Sequence, residues 1–177
     1  MRNKVAWFTP ALLAGLLAAP LPGQFPDVGA VVGAGYSTGD DQDSAGVTAV
    51  GVSVGWPHSF RHRLQADYLL QNVRLDLSSR RHYFTGSYVL QLSPGRLRPF
   101  FQFGAGIVSR TFSTRSFLPP DSVFERSESE SGFAVLFGAG ATVDIGRPLF
   151  LRPQVRLYGH AGPTMTLLPA LEVGFRF

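Results

Sequence analysis

From Asp27 to Phe177 the sequence alternates apolar residues with small or polar ones at a period of two, breaks, and alternates again, eight times over. Side chains of a strand point to opposite faces in turn, so this pattern describes a sheet with one apolar face. The last stretch, TMTLLPALEVGFRF (164–177), is the plainest. Its odd positions Met165, Leu167, Pro169, Leu171, Val173, Phe175 and Phe177 are all apolar, while the even ones include Thr164, Thr166, Glu172, Gly174 and Arg176. The other segments are DVGAVVGAGYS (27–37), GVTAVGVSVGW (46–56), RHRLQADYLLQNV (61–73), RRHYFTGSYVLQL (80–92), RPFFQFGAGIVSRTF (98–112), SGFAVLFGAGATVDI (131–145) and LFLRPQVRLYG (149–159). None sustains the 3.6-residue period of a helix, and 20 glycines in 177 residues weigh against helices. The chain is expected to be all-β.

The connections narrow the architecture. Tight turns at 57–60, 93–97 and 146–148 alternate with longer loops at 38–45, 74–79 and 113–130; the short link at 160–163 departs from the rule. Segments of 11 to 15 residues exceed the ~5–6 residues usual in soluble sheets. They suit tilted strands that cross a bilayer in roughly 9–11 residues with a little to spare at each rim. Short turns on one side and long loops on the other predict an eight-stranded antiparallel up-and-down transmembrane β-barrel, with both ends of the sheet on the short-turn, periplasmic side.

A soluble sandwich also alternates, so the polar face has to decide which solvent surrounds the sheet. Strand seven sets Leu149, Leu151, Pro153, Val155 and Leu157 against Phe150, Arg152, Gln154, Arg156 and Tyr158; strand three sets Leu64, Ala66, Tyr68 and Leu70 against Arg63, Gln65, Asp67, Leu69 and Gln71. A water-facing strand is usually rich in Lys, Glu, Ser and Thr. Here arginines, single acids, glycines and aromatics share the polar face, and lysine is absent after Lys4. These are residues for a narrow, filled lumen, where a buried arginine needs a carboxylate. The apolar face then meets hydrocarbon, and the last strand closes the barrel on the first, since no edge is left open in lipid. Tyr36, Trp56, Tyr68, Phe101, Phe133, Phe175 and Phe177 are candidates for the aromatic girdles. A soluble lipocalin-like binding barrel, the alternative, requires the opposite orientation. Pro153 and Pro169 fall inside strands and predict bulges or strand-end placement.

Residues 1–23 read as an export signal. MRNK supplies positive charge, VAWFTPALLAGLLAA an apolar run shorter than the roughly 20 residues of a spanning helix, and a Pro-rich end follows. Cleavage fits after Gly23 or, less well, after Ala19, leaving 24–177 as the barrel domain. Arg2 and Lys4 lie in this leader, so the formal net charge of +4 falls to +2 without it (14 basic against 12 acidic). The remaining arginines are scattered, which argues against a nucleic-acid partner. The absence of cysteine removes disulfides, thiolate chemistry and a lipidated N-terminus.

The segments RPFFQFGAGI before a long loop, SGFAVLFGAGATVDIGRPLFLRPQVRLY and the terminal GFRF resemble those of small outer-membrane β-barrel proteins of the OmpA/OmpX type. The resemblance extends over everything after the signal. It implies residence in a Gram-negative outer membrane among lipid and lipopolysaccharide. It also implies a C-terminal strand, ending in Phe175 and Phe177, that is read by the barrel-assembly machinery. Tethering to peptidoglycan through a further domain is not carried over.

The interior charges are the sharpest functional feature. Arg98, Asp144, Arg152, Glu172 and Arg176 are expected in the periplasmic half of the lumen, Asp67 and Arg156 near its middle, and Arg110 toward the outer rim. They form either a fixed salt-bridged plug or a gate for ions or small solutes in a narrow channel. Eight strands leave an interior that side chains just fill, which favours the plug. The repeated [VF]-G-A-G (Gly33, Gly35, Gly104, Gly106, Gly138, Gly140) lacks the third glycine and following helix of a phosphate loop. Its glycines serve as room for large lumen neighbours and as relief for sheet curvature. His58 and His62 are expected at a turn, and His82 and His160 near the outer rim. Pairing of His82 with Ser79 and pairing of His160 with a loop carboxylate are the two catalytic arrangements to test. No catalytic, cofactor or metal site is assigned. The acidic loop residues Asp40, Asp41 and Asp43 lack the ligand ladder of a calcium hand. The expected role is structural or surface-interacting, through loops 38–45, 74–79 and 113–130, and non-enzymatic.

Overall fold

A computed structural model describes residues 26–38, 44–74, 78–118, 122–146, 148–160 and 164–177. Signal residues 1–23, Asp40, Asp41 and Asp43 lie outside the described residues. Eight strands, β1 (Asp27–Thr38), β2 (Ser44–Pro57), β3 (His62–Arg74), β4 (Ser78–Gln91), β5 (Leu97–Leu118), β6 (Ser122–Gly146), β7 (Leu149–His160) and β8 (Met165–Arg176), follow one another round a closed antiparallel barrel. The seam is β1 against β8, with Val28 opposite Phe175 and Tyr36 opposite Leu167. Both ends of the sheet lie at the rim that carries the short turns.

The faces fall as the alternation requires. Leu149 and Val155 are 38% and 46% exposed on the outer wall, whereas Arg152 and Arg156 are 1% and 0% exposed in the lumen. Val32, Val52, Phe101, Phe103, Ile107, Phe133, Phe137 and Phe175 all point outward. This orientation rules out the lipocalin-like alternative, which needs the apolar face inside. Trp56 and Tyr68 are half-buried on the same outer wall.

Two expectations need correction. Residues 113–118 and 122–130 are strand rather than loop: β5 and β6 stay paired from Arg110 opposite Glu130 to Leu118 opposite Ser122. β4 pairs with β5 only as far as Phe112, and β7 with β6 only as far as Ala134. The hairpin therefore continues past both neighbours. The prolines produce no bulge either. Register is kept across both, with only the ladder pairs beside them missing: between Val143–Leu151 and Gly140–Gln154 for Pro153, and between Gly33–Ala170 and Tyr36–Leu167 for Pro169. Each missing N–H thus costs one ladder locally. Between β6 and β7 the register shifts at Asp144/Gly146, beside a turn.

The [VF]-G-A-G glycines do face the lumen, and two show why a side chain is excluded. A Cβ at Gly35 would strike the carbonyl oxygen of Leu167, and one at Gly106 that of Phe84. Adjacent strands approach this closely where a small barrel bends sharply.

Candidate functional site

The lumen is filled in layers, and strand phase assigns each residue to its layer. At the short-turn rim Arg98 Nη2 contacts both oxygens of Asp144 (2.7 and 2.8 Å), and Arg176 Nη1 lies 3.3 Å from Asp144 Oδ1. This cluster is partly exposed.

Above it lies a fully buried network centred on Glu172. Arg152 Nη1 donates to Glu172 Oε1 at 2.6 Å and Ser53 Oγ donates to the same oxygen at 2.8 Å. The other oxygen accepts from Gln154 Nε2 (3.2 Å) and faces Arg156 Nη2 at 3.6 Å. Arg156 Nη2 also reaches Asp67 Oδ1 at 3.2 Å, and Gln65 Nε2 donates to that oxygen at 2.8 Å. Arg152 is steadied further by Thr142 Oγ1 (3.0 Å) and by the faces of Phe150 and Phe100, 4.7 and 5.7 Å from its Cζ. Arg63 pairs with Asp27. Three arginines (Arg63, Arg152, Arg156) therefore face three carboxylates (Asp27, Asp67, Glu172), and the layer is electrically balanced. Each charge sits against an opposite one, and around Glu172, Asp67 and Arg152 neutral donors or acceptors also replace lost water.

Toward the other rim comes an apolar belt of Val31, Leu69, Val108, Leu136 and Leu168 with Tyr83 and Tyr158. Beyond the belt the mouth is polar again. Arg81 Nη1 donates to Ser37 Oγ (2.8 Å) and Thr166 Oγ1 (3.3 Å), and Thr166 Oγ1 donates to Ser37 Oγ at 3.0 Å. Tyr83 Oη lies 2.8 Å from His160 Nε2.

The charges expected in the periplasmic half and middle of the lumen divide into two groups. Arg98, Asp144 and Arg176 form the rim cluster; Asp67, Arg152, Arg156 and Glu172 form the buried network. Sequence reasoning left Asp27 and Arg63 out of that network, although their strand phase, shared with Val31 and Asp67, marks them as inward. Phe175 and Phe177 point outward and are 51% and 69% exposed.

The histidines rearrange the catalytic expectation. Ser79 is buried in the lumen while His82 lies on the outer wall, so the barrel wall separates that pair. His82 Nδ1 instead lies 2.8 Å from Tyr68 Oη, and its cross-strand partner is Ser109. His62 Nδ1 bonds Tyr88 Oη on the same outer wall near the short-turn rim. Among the described residues His160 meets Tyr83, and the loop acids Asp40, Asp41 and Asp43 lie outside them.

No family model matches this chain, and no curated protein does. Solved structures match in fold. Neisserial surface protein A superposes with a TM-score of 0.72 at 11% identity, over 86% of this chain and 97% of its own. Ail, the attachment invasion locus protein of Yersinia pestis, gives 0.60 at 13% identity, over 87% and 99%. The outer membrane enzyme PagL gives 0.51 at 18% identity, over 85% and 99%. At these identities the likeness is one of fold: this chain has the architecture of the small eight-stranded outer-membrane barrels.

Proposed function

We propose that this protein is an integral outer-membrane barrel whose lumen is a permanent salt-bridged plug. Its role is then structural, or lies in the surface it presents at the long-loop rim. The supporting observation is the inverted distribution of polarity, with large apolar side chains outside and balanced charges at 0–5% exposure inside. In water such a wall would aggregate; in hydrocarbon it is the favourable arrangement. On this reading residues 1–23 direct export, both ends of the sheet face the periplasm, and the protruding β5–β6 hairpin stands among lipopolysaccharide outside the cell. Phe175 and Phe177 serve as the handle for the barrel-assembly machinery. The charged network and the apolar belt lie in series along the lumen, which favours a plug over the narrow channel. Membrane fractionation with folded and boiled samples on one gel tests the reading. A heat-modifiable band confined to the membrane fraction is expected, and a soluble protein would refute it. In planar bilayers the plug predicts no conductance above background.

One observation favours a second reading, a lipid-acting enzyme. His82 is held by Tyr68 and stands beside Ser109 on the outer wall, which puts a base next to a hydroxyl at the membrane surface. Release of fatty acid from bilayer lipid that is lost in both His82→Asn and Ser109→Ala would establish it. The non-enzymatic reading expects no release from the unmodified chain.

A further inference from the structure

The mouth of the lumen at the long-loop rim holds a charge that the described residues leave unbalanced. Arg81 is 7% exposed, and its hydrogen-bond acceptors are the hydroxyls of Ser37 and Thr166. No carboxylate among the described residues contacts it. Arg63, Arg98, Arg152, Arg156 and Arg176 each contact at least one. The described surroundings do not supply the missing charge. Arg110 lies directly across the β4–β5 ladder from Arg81 with contacts of its own, and the exposed Glu130 follows on β6 beside Arg110. A buried guanidinium among neutral partners is costly, so such a site gains from any anion that reaches it.

The same place carries unused hydrogen-bonding capacity. Arg81 Nε, Ser79 Oγ, both amide atoms of Gln71 and His160 Nδ1 are buried and without a partner. Gln71 pairs with Arg81 across the β3–β4 ladder, and Ser79 precedes Arg81 by two residues on the same face. A guanidinium flanked by hydroxyls and an amide offers several donors to one acceptor. This suits a group with several terminal oxygens in tetrahedral array, which accepts from more donors than a carboxylate.

We propose that this mouth binds a phosphate or sulfate group, with Arg81 as the charge and Ser37, Ser79, Gln71 and Thr166 as the flanking partners. The group arrives either as a free ion or as an ester on a lipid headgroup at the rim. The site is separated from the Glu172 network by the apolar belt, so it is independent of whether the plug ever opens.

Calorimetric titration of the whole folded chain in neutral detergent tests this, with sodium phosphate as titrant against sodium chloride at equal ionic strength. A second arm holds phosphate out and raises the mole fraction of phosphatidic acid in phosphatidylcholine mixed micelles. Saturable binding in either arm supports the site, and the arm that responds names the source. Arg81→Gln should weaken it at least about tenfold, while Arg61→Gln, at the opposite rim, should leave it unchanged. Should Arg81→Gln not fold, Ser37→Ala combined with Thr166→Val should weaken binding several-fold. Absence of saturable heat in both arms, a response equalled by chloride, or an unaltered affinity in these mouth variants would overturn the proposal.

Discussion

The two polar compartments of the lumen solve the burial of arginine differently. Below the apolar belt, Arg63, Arg152 and Arg156 are matched by Asp27, Asp67 and Glu172, and Ser53, Gln65, Thr142 and Gln154 add neutral hydrogen bonds. Above the belt, Arg81 is equally enclosed by strands but among the described residues meets only hydroxyl acceptors. One residue type on one curved sheet thus ends in two states, a charge-matched network and a site where, among the described residues, no carboxylate meets the arginine; both keep some buried polar atoms without a partner. Burial alone does not separate them; the presence of a carboxylate within reach does.

The largest way to break the contrast is to remove the carboxylate that the lower network shares. Glu172→Gln leaves Arg152 and Arg156 underneutralised, and should lower folding stability by about 3–5 kcal/mol. Urea titration of the heat-modifiable band in detergent measures it. Next comes the sheet that holds both compartments. Gly106→Val drives a side chain into the Phe84 carbonyl and should cost about 1–3 kcal/mol in the same titration. The rim cluster should matter less. Asp144→Asn loosens Arg98 and Arg176, but these side chains are partly exposed, and a loss of about 0–1 kcal/mol is expected. Smallest is Arg81→Met in chloride buffer free of phosphate and sulfate. Removing an unmatched buried charge should leave stability unchanged or slightly raised. A loss as large as that of Glu172→Gln would erase the distinction between the compartments.

The number of strands, their faces and the seam were legible because an apolar outer wall and a filled polar bore give every barrel strand two unlike faces. The β5–β6 hairpin escaped for the converse reason. Residues 113–130 include Ser113, Thr114, Arg115, Glu125, Glu128 and Glu130, with no apolar alternation to mark a strand. The charged residues of the lumen were legible by phase, but their partners were not. Asp67 on β3 and Arg156 on β7 meet across the bore, a contact set by barrel tilt and closure rather than by spacing. Asp27 was overlooked because it opens its strand, where a charge looks like loop. The suggested His82–Ser79 pair was excluded by parity alone, since an odd separation puts two strand residues on opposite faces.

Everything depends on what touches the outer wall. The chain has no cysteine, so a single Cys at Val52, Val155 or Leu167 carries one spin label and no other. Collision of that label with oxygen, which concentrates in hydrocarbon, and with a water-soluble nickel chelate can be compared after reconstitution into bilayers. The account predicts high oxygen and low nickel accessibility at all three positions. Ready quenching by the nickel chelate there would place water against the apolar wall and contradict it.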